Sequence, residues 1–143
     1  MKIKQISIFL ENRRGRLCEV CSLLGQNKIN IRALTVAETE SFGVLRIVVD
    51  KTDEAVKLLK ENSFTANVTE VVAVEVSDEP GGLAKVLKVL AEGNLNIEYM
   101  YGFVEKHGGK ALLVFRFEDA DAAIETLTKN NIKIVGKADV QGL

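Results

Sequence analysis

The sequence predicts an α+β fold made of two copies of one unit, each a four-stranded antiparallel sheet with two helices on one face. One observation behind this prediction is an internal repeat that relates the two halves of the 143-residue chain. The other is the order of apolar patterns in each half, which switches between strand and helix periods in the order βαββαβ. With 47% apolar and 27% charged residues, the composition is that of a globular protein.

The internal repeat covers nearly the whole chain. A constant spacing pairs residues of the first half with similar residues of the second, and it grows by two residues in segment 106–109, where an insertion lengthens only a turn. We therefore predict two domains, residues 1–70 and 71–143, with no polar linker between them. The pairs include Leu10/Val76, Asn12/Asp78, Gly15/Gly81, Asn30/Asn96, Ile47/Phe115 and Leu59/Leu127.

The first strand of each unit has apolar residues at every second position, and the first helix has them at helical spacing. Asn27 and Gly93 end these helices, because Asn and Gly best tolerate the left-handed conformation that a helix C-terminus requires. The apolar positions are Ile6, Ile8, Leu10, Leu17, Val20, Cys21 and Leu24 in the first unit and Val72, Val74, Val76, Leu83, Val86, Leu87 and Leu90 in the second.

Two more strands, a second helix and a last strand complete each unit. The strands are predicted at 31–37 and 44–50 in the first unit and at 97–104 and 110–117 in the second, with glycine at each hairpin turn. The second helices start near Thr52 and Asp119, and the last strands lie at 65–70 and 133–138. This order predicts a ferredoxin-like arrangement in each unit, the two units lying side by side.

The central strands carry apolar residues on both faces. Helices cover only one face, so we expect a second copy of the chain to cover the other and form a homodimer. The residues assigned to that second face are Val36, Val44, Val48, Met100, Leu112 and Val114.

Charge and the N-terminal sequence exclude several classes of function. The net charge is −1, which gives no electrostatic attraction to nucleic acid or to an anionic membrane. The N-terminus lacks the apolar core of a signal peptide, and no stretch is long enough to cross a membrane, so we expect a cytoplasmic protein.

Cys18 and Cys21 form a C-x-x-C, but with His107 they supply too few ligands for zinc, and no metal or cofactor is expected. The repeat favours small core or near-core residues over a redox pair.

The turn between the first strand and first helix differs from an ordinary loop in both units. In the second unit it reads Asp78-Glu79-Pro80-Gly81-Gly82-Leu83, which we call turn 2; in the first it is segment 12–17, which we call turn 1. A helix start with glycine exposes backbone N–H groups, so it is suited to bind an anion such as a carboxylate.

The duplicated unit, turn 2 and the Gly93-x-x-Asn96-Ile97 step after the helix together resemble the ACT domain, a regulatory module that binds amino acids. The resemblance covers the whole chain and leaves no room for a catalytic domain. It implies that two units pair and hold an amino acid at their junction, between the turn of one unit and the second strand of its neighbour. The implied ligand-binding residues are Asn12, Arg13, Arg14, Gly15, Arg16, Leu17, Asn30, Ile31, Asp78, Glu79, Pro80, Gly81, Gly82, Leu83, Asn96 and Ile97.

The two turns differ, and several of these residues have a second interpretation. Turn 1 has Arg14 where turn 2 has Pro80, and it lacks the Asp that would accept from a ligand ammonium group. Asp78 fits an N-cap as well as a ligand contact. Gly15 and Gly81 indicate close approach of a ligand to the backbone. Asn30 and Asn96 are turn residues or site residues.

The sequence thus predicts a non-catalytic regulatory protein that binds a small amino acid at the interface between its two units. The alternative is a subunit that regulates a separate enzyme in trans without a ligand of its own. An enzyme is the third hypothesis, and redox chemistry at the two cysteines is its only basis.

Overall fold

The computed structural model describes residues 1–38 and 41–143. The chain divides into two compact units, one of Lys4–Thr69 and one of Glu70–Leu143 together with Met1–Ile3. No helix in the described part of the chain is long and apolar enough to cross a membrane.

The first unit has the predicted element order. It comprises β1 (Ile3–Glu11), α1 (Arg16–Gln26), β2 (Ile31–Glu38), β3 (Phe42–Val49), α2 (Thr52–Glu61) and the first part of β4 (Thr65–Val76). The strand order is β2-β3-β1-β4, and β3 pairs antiparallel with both β1 and β2. Apolar side chains of β1, β3, α1 and α2 meet in one core, in which Ile6, Ile8, Leu24, Ile47 and Leu59 are fully buried.

The second unit repeats this order from the rest of β4. It contains α3 (Gly82–Glu92), β5 (Ile97–Gly102), β6 (Ala111–Phe117), α4 (Ala120–Lys129), β7 (Ile134–Val135) and α5 (Lys137–Gln141). β6 pairs with β4 and β5, and β7 pairs with β4, all antiparallel. The core contains the stacked rings of Phe115 and Phe117, with centroids 5.5 Å apart. The predicted ferredoxin-like βαββαβ units are confirmed.

One predicted strand is much longer than the observed one. The strand predicted at 133–138 is only two residues long, because the chain leaves the sheet at Gly136 and forms α5. The last strand of the first unit continues without a break into the first strand of the second as β4, which agrees with the predicted absence of a linker. The helices α1 and α3 end at the predicted Asn27 and Gly93, and the left-handed conformation lies one residue later, at Lys28 or Asn94.

The face assigned to Val36 and Met100 is also wrong. Val36 pairs with Leu45 and Met100 with Phe115, and cross-strand partners point to the same side of a sheet, so both lie on the helix-facing side. The cause is a register shift early in β2 and again early in β5, where one extra residue reverses the alternation.

The second face is covered more fully than the sequence suggested. Val48, Leu112 and Val114 are buried within a single chain, at 2%, 2% and 0% exposure. These residues therefore give no support to a homodimer. The exposed apolar residues of the first unit include Leu34 and Val36 of β2.

Candidate functional site

Turn 2 leads from the end of β4 into α3 without any side-chain cap. Gly81 occupies the N-cap position with φ 83°. The N–H of Gly82 donates to the carbonyl of Glu79, and the N–H of Lys85 donates to the carbonyl of Gly81, each at 3.0 Å. The start of α3 is thus shaped by the backbone alone, and no side chain of the turn shields its positive end.

Asp78 does not cap this helix, so that interpretation of Asp78 is wrong. Its carboxylate forms an ion pair with the Nζ of Lys106, in the loop that follows β5. Both side chains are largely exposed, at 48% for Asp78 and 62% for Lys106. Exposed pairs of this kind contribute only about 0–1 kcal/mol to stability, so another cation can replace Lys106 as the partner of the Asp78 carboxylate.

The backbone conformation explains why Gly15 and Gly81 are glycines. Gly15 and Gly81 have φ of 86° and 83°, a region that residues with a Cβ adopt at a cost of about 1–2 kcal/mol. A Cβ built at either position would have no protein atom within 4 Å. Gly82 is different, because its Cβ would lie 2.0 Å from the carbonyl oxygen of Ser77. Backbone packing therefore requires glycine at residue 82.

Turn 1 has two backbone hydrogen bonds and a left-handed glycine in common with turn 2, but different side chains. The N–H of Arg16 donates to the carbonyl of Arg13 and that of Glu19 to the carbonyl of Gly15, as at the equivalent positions of turn 2. Arg13 forms an ion pair with Glu11 at 3.3 Å. Asn12 is exposed, and its N–H donates to the carbonyl of Ser41.

Arg16 is the residue of turn 1 that is held most firmly. Its guanidinium lies 4.4 Å from the centre of the Phe64 ring, and its Nη1 donates to the Glu19 carboxylate at 2.7 Å. The Arg16 side chain is only 18% exposed. It therefore fills space beside α1 instead of standing in solvent to attract an anion.

Asn30 and Asn96 link the strands at the far end of each unit's first helix. The N–H of Asn30 donates to the Asp50 carboxylate at 2.9 Å, and the N–H of Asp50 donates back to the Asn30 carbonyl at 3.1 Å. The N–H of Glu118 donates to the Asn96 carbonyl at 3.2 Å. These contacts give both asparagines a structural role as turn residues.

Ile31 and Ile97, the next residues, pack against the cores of their own units. An 11-residue helix separates turn 2 from Asn96, which corresponds to about 16 Å along its axis. The structure therefore does not bring the turn and the Asn-Ile step of one unit together.

A cavity of about 440 Å³ lies within the second unit, beside the start of α3. We call it the lysine cavity. Its polar lining comes from four different parts of the unit and includes Glu75, Ser77, Gly82, Lys85, Lys110 and Lys133. Glu75 is the most shielded of its charged groups, with its side chain 13% exposed, and lies 3.7 Å from the Lys110 ammonium and 3.9 Å from that of Lys133.

Comparison with known proteins identifies the family. The model of the ACT domain pair matches residues 1–143. The chain belongs to this family. No curated protein matches the sequence of this ACT pair.

Solved structures similar to this ACT pair include a protein of similar length, a regulatory subunit of aspartate kinase and part of an aspartokinase chain. A protein of Bacteroides thetaiotaomicron is 42% identical over 100% of this chain and 98% of that one, with a TM-score of 0.93. The ligand-free regulatory subunit of aspartate kinase from Thermus thermophilus is 20% identical, with 88% and 91% of the two chains covered and a TM-score of 0.62. Aspartokinase III of E. coli, in complex with lysine and aspartate, is 21% identical over 91% of this chain but only 31% of that one, with a TM-score of 0.53.

The cysteines of the ACT pair differ in environment. Cys18 is exposed, so its prediction as a core residue is wrong, and Cys21 is half-buried. Burial, and then the neighbouring Cys18, raise the pKa of the Cys21 thiol above its usual value. A raised pKa reduces the thiolate fraction at neutral pH, which is the opposite of what a redox-active thiol needs. The described residues contain no group of three or more potential metal-ligating side chains.

The internal repeat does not predict the lysine cavity, because it rests on residues that are similar in the two halves. Several residues of the cavity belong to dissimilar pairs between the two halves. Phe9 is replaced by Glu75, Arg16 by Gly82 and Phe42 by Lys110. A comparison of mismatched positions would have found them.

Proposed function

We propose that this ACT pair is a non-catalytic regulatory protein that binds a small amino acid at turn 2, with a neighbouring ACT unit closing the site. The observation that carries the proposal is the state of turn 2 itself. The N-terminus of α3 has no side-chain cap, and an exposed carboxylate that does not serve as a cap stands beside it.

These two features match the two ends of an amino acid. Backbone N–H groups and the positive end of the helix dipole favour a carboxylate at the start of α3. The Asp78 carboxylate accepts from the ammonium group of the ligand. That ammonium group takes the place that the Lys106 ammonium holds in the free protein. Because that ion pair is exposed and weak, displacing the Lys106 ammonium costs at most about 1 kcal/mol.

Turn 1 is the poorer site. It has Asn12 in place of an acidic residue, so a ligand ammonium has no charged partner there. Burying an unpaired charge is costly, and binding at turn 1 is correspondingly weaker. We propose one occupied site per chain, at turn 2.

A thermal-shift screen over the twenty amino acids tests the proposal. A ligand at 100 times its Kd adds about 2.7 kcal/mol to the free energy of unfolding, which is readily detected as a rise in Tm. Stabilisation by one or a few amino acids supports the proposal. A screen in which none of the twenty raises Tm contradicts it.

A second candidate function is regulation of a separate enzyme in trans. It is favoured by the likeness in fold and length to the regulatory subunit of aspartate kinase from Thermus thermophilus. Affinity purification that recovers an enzyme in fixed stoichiometry, with no effect of amino acids on Tm, would support this candidate over the first.

A homodimer is part of the proposal. Leu34 and Val36 of β2 are 40% and 43% exposed, on a strand that pairs on one side only within its unit. An exposed apolar edge of this kind favours association with another chain. Sedimentation equilibrium at micromolar concentration should give twice the mass of 15.7 kDa, and a monomer would contradict it.

A further inference from the structure

The lysine cavity adjoins the proposed amino-acid site at the start of α3, but its three lysines lie outside turn 2 and stand on three separate segments. Lys85 lies on α3, Lys110 directly precedes β6, and Lys133 directly precedes β7. Backbone hydrogen bonds between His107 and Lys110, at 2.9 and 3.1 Å, close the inserted turn that positions Lys110. Three separate segments thus converge on one space with the same sign of charge.

The charge of the cavity is not balanced internally. Three lysines face one carboxylate, Glu75, so the lining carries an excess of two positive charges. The Glu75 carboxylate lies 3.7 Å from Lys110 and 3.9 Å from Lys133, which is beyond hydrogen-bond distance. Lys110 and Lys133 are therefore not tied to Glu75 by short hydrogen bonds, and their ammonium groups can donate to a ligand.

The first unit provides an internal comparison, because the same place there is filled. Arg16 stands where the second unit has Gly82, and its guanidinium covers the ring of Phe64, which stands where the second unit has Ile132. The second unit has no side chain at Gly82, so it lacks the group that fills the equivalent space in the first unit. Three further lining residues differ in charge between the two units: Glu75 replaces Phe9, Lys85 replaces Glu19 and Lys110 replaces Phe42.

We propose that the lysine cavity binds a small dianion, a dicarboxylate or a phosphate ester. Its volume of about 440 Å³ lies within the range of small-molecule sites in proteins. Two anionic groups balance the excess of two positive charges, and lysine ammonium groups bind both carboxylate and phosphate as point charges. The start of α3, at Gly82, adds positive potential to that of the three lysines.

Binding is tested by NMR titration of the 15N-labelled full chain at low salt, with succinate and inorganic phosphate as separate probes. We expect at least one probe to give saturable shifts centred on the amides of Gly82, Lys85, Lys110 and Lys133. Saturation with succinate alone assigns a dicarboxylate, and saturation with phosphate alone assigns a phosphate ester. No saturable shift with either probe overturns the proposal.

Matched variants establish where the probe binds. The double variant Lys110→Gln/Lys133→Gln should weaken binding at least about tenfold, because it removes two charge-assisted contacts. Lys88→Gln, on α3 but outside the cavity lining, should change the Kd less than about twofold. Glu75→Gln should tighten binding by removing the competing carboxylate. Equal weakening by Lys88→Gln and by the double variant would overturn the proposal.

Discussion

Replacing Gly15 or Gly81 by alanine gives a matched pair of variants that separates structure from binding. The two residues have φ of 86° and 83°, and a Cβ at either would meet no protein atom within 4 Å. The only cost to the fold is therefore the left-handed conformation, about 1–2 kcal/mol for alanine. We predict that Gly15→Ala and Gly81→Ala lower the free energy of unfolding by equal amounts, within about 0.5 kcal/mol of each other.

The response to a ligand should differ between the two variants. The added methyl group of Gly81→Ala stands in open space beside the uncapped start of α3, where the carboxylate of an amino acid would approach. Its turn is also strained, so the N–H groups no longer hold the geometry that binds the ligand. The rise in Tm with the stabilising amino acid should therefore be lost in Gly81→Ala and retained in Gly15→Ala.

Urea unfolding measures the first quantity and thermal shift with and without amino acid measures the second. An equal loss of ligand response in both variants would refute the proposed difference between turn 1 and turn 2. Unequal losses of stability would refute the geometric reasoning, because the left-handed φ is the only feature of these two positions that disfavours alanine.

Three other variants or reagents test the structure. Gly82→Ala should destabilise by at least about 3 kcal/mol in urea unfolding, because its Cβ would lie 2.0 Å from a backbone oxygen; a loss below that of Gly81→Ala would contradict this packing. Leu127→Ala, in the buried core, should cost about 2–5 kcal/mol and exposed Lys129→Ala less than about 0.5; similar losses would refute the assigned core. Cys18 should react with iodoacetamide at pH 8 faster than Cys21, whose raised pKa keeps more of its thiol protonated until higher pH; mass spectrometry that finds Cys21 alkylated first would contradict the assigned burial.

Much of the fold could be predicted because the repeat supplies two independent readings of each element. The alternation of Ile6, Ile8 and Leu10 and the helical spacing of Val20 and Leu24 both reflect burial against one core, and each recurs in the second half. A pattern that arises by chance in one half would not recur at the same place in the other. Element type was therefore predicted more accurately than element ends.

The errors have local physical causes. The shift early in β2 and β5 depends on backbone hydrogen bonding, which leaves no clear mark in the sequence, so Val36 and Met100 were assigned to the wrong face. α5 is only five residues long, too short to show a helical period. Both errors involve only a few residues, and a helical or strand period can be recognised only over a longer stretch of sequence.

The candidate site was predicted in part. The sequence identifies turn 2 as a helix start but leaves two roles open for Asp78, and the absence of a side-chain cap on α3 excludes one of them. The lysine cavity depends on three segments that are distant along the chain, and on the absence of a side chain at Gly82. Only the spatial arrangement brings these residues together.

The central claim is that one amino acid binds per chain, at turn 2. Isothermal titration calorimetry with the amino acid that gives the largest rise in Tm tests it most directly. We predict saturable binding with a stoichiometry of one per chain, which persists in Gly15→Ala and is lost in Gly81→Ala. Two equivalent sites per chain, or binding that survives Gly81→Ala unchanged, would contradict the claim.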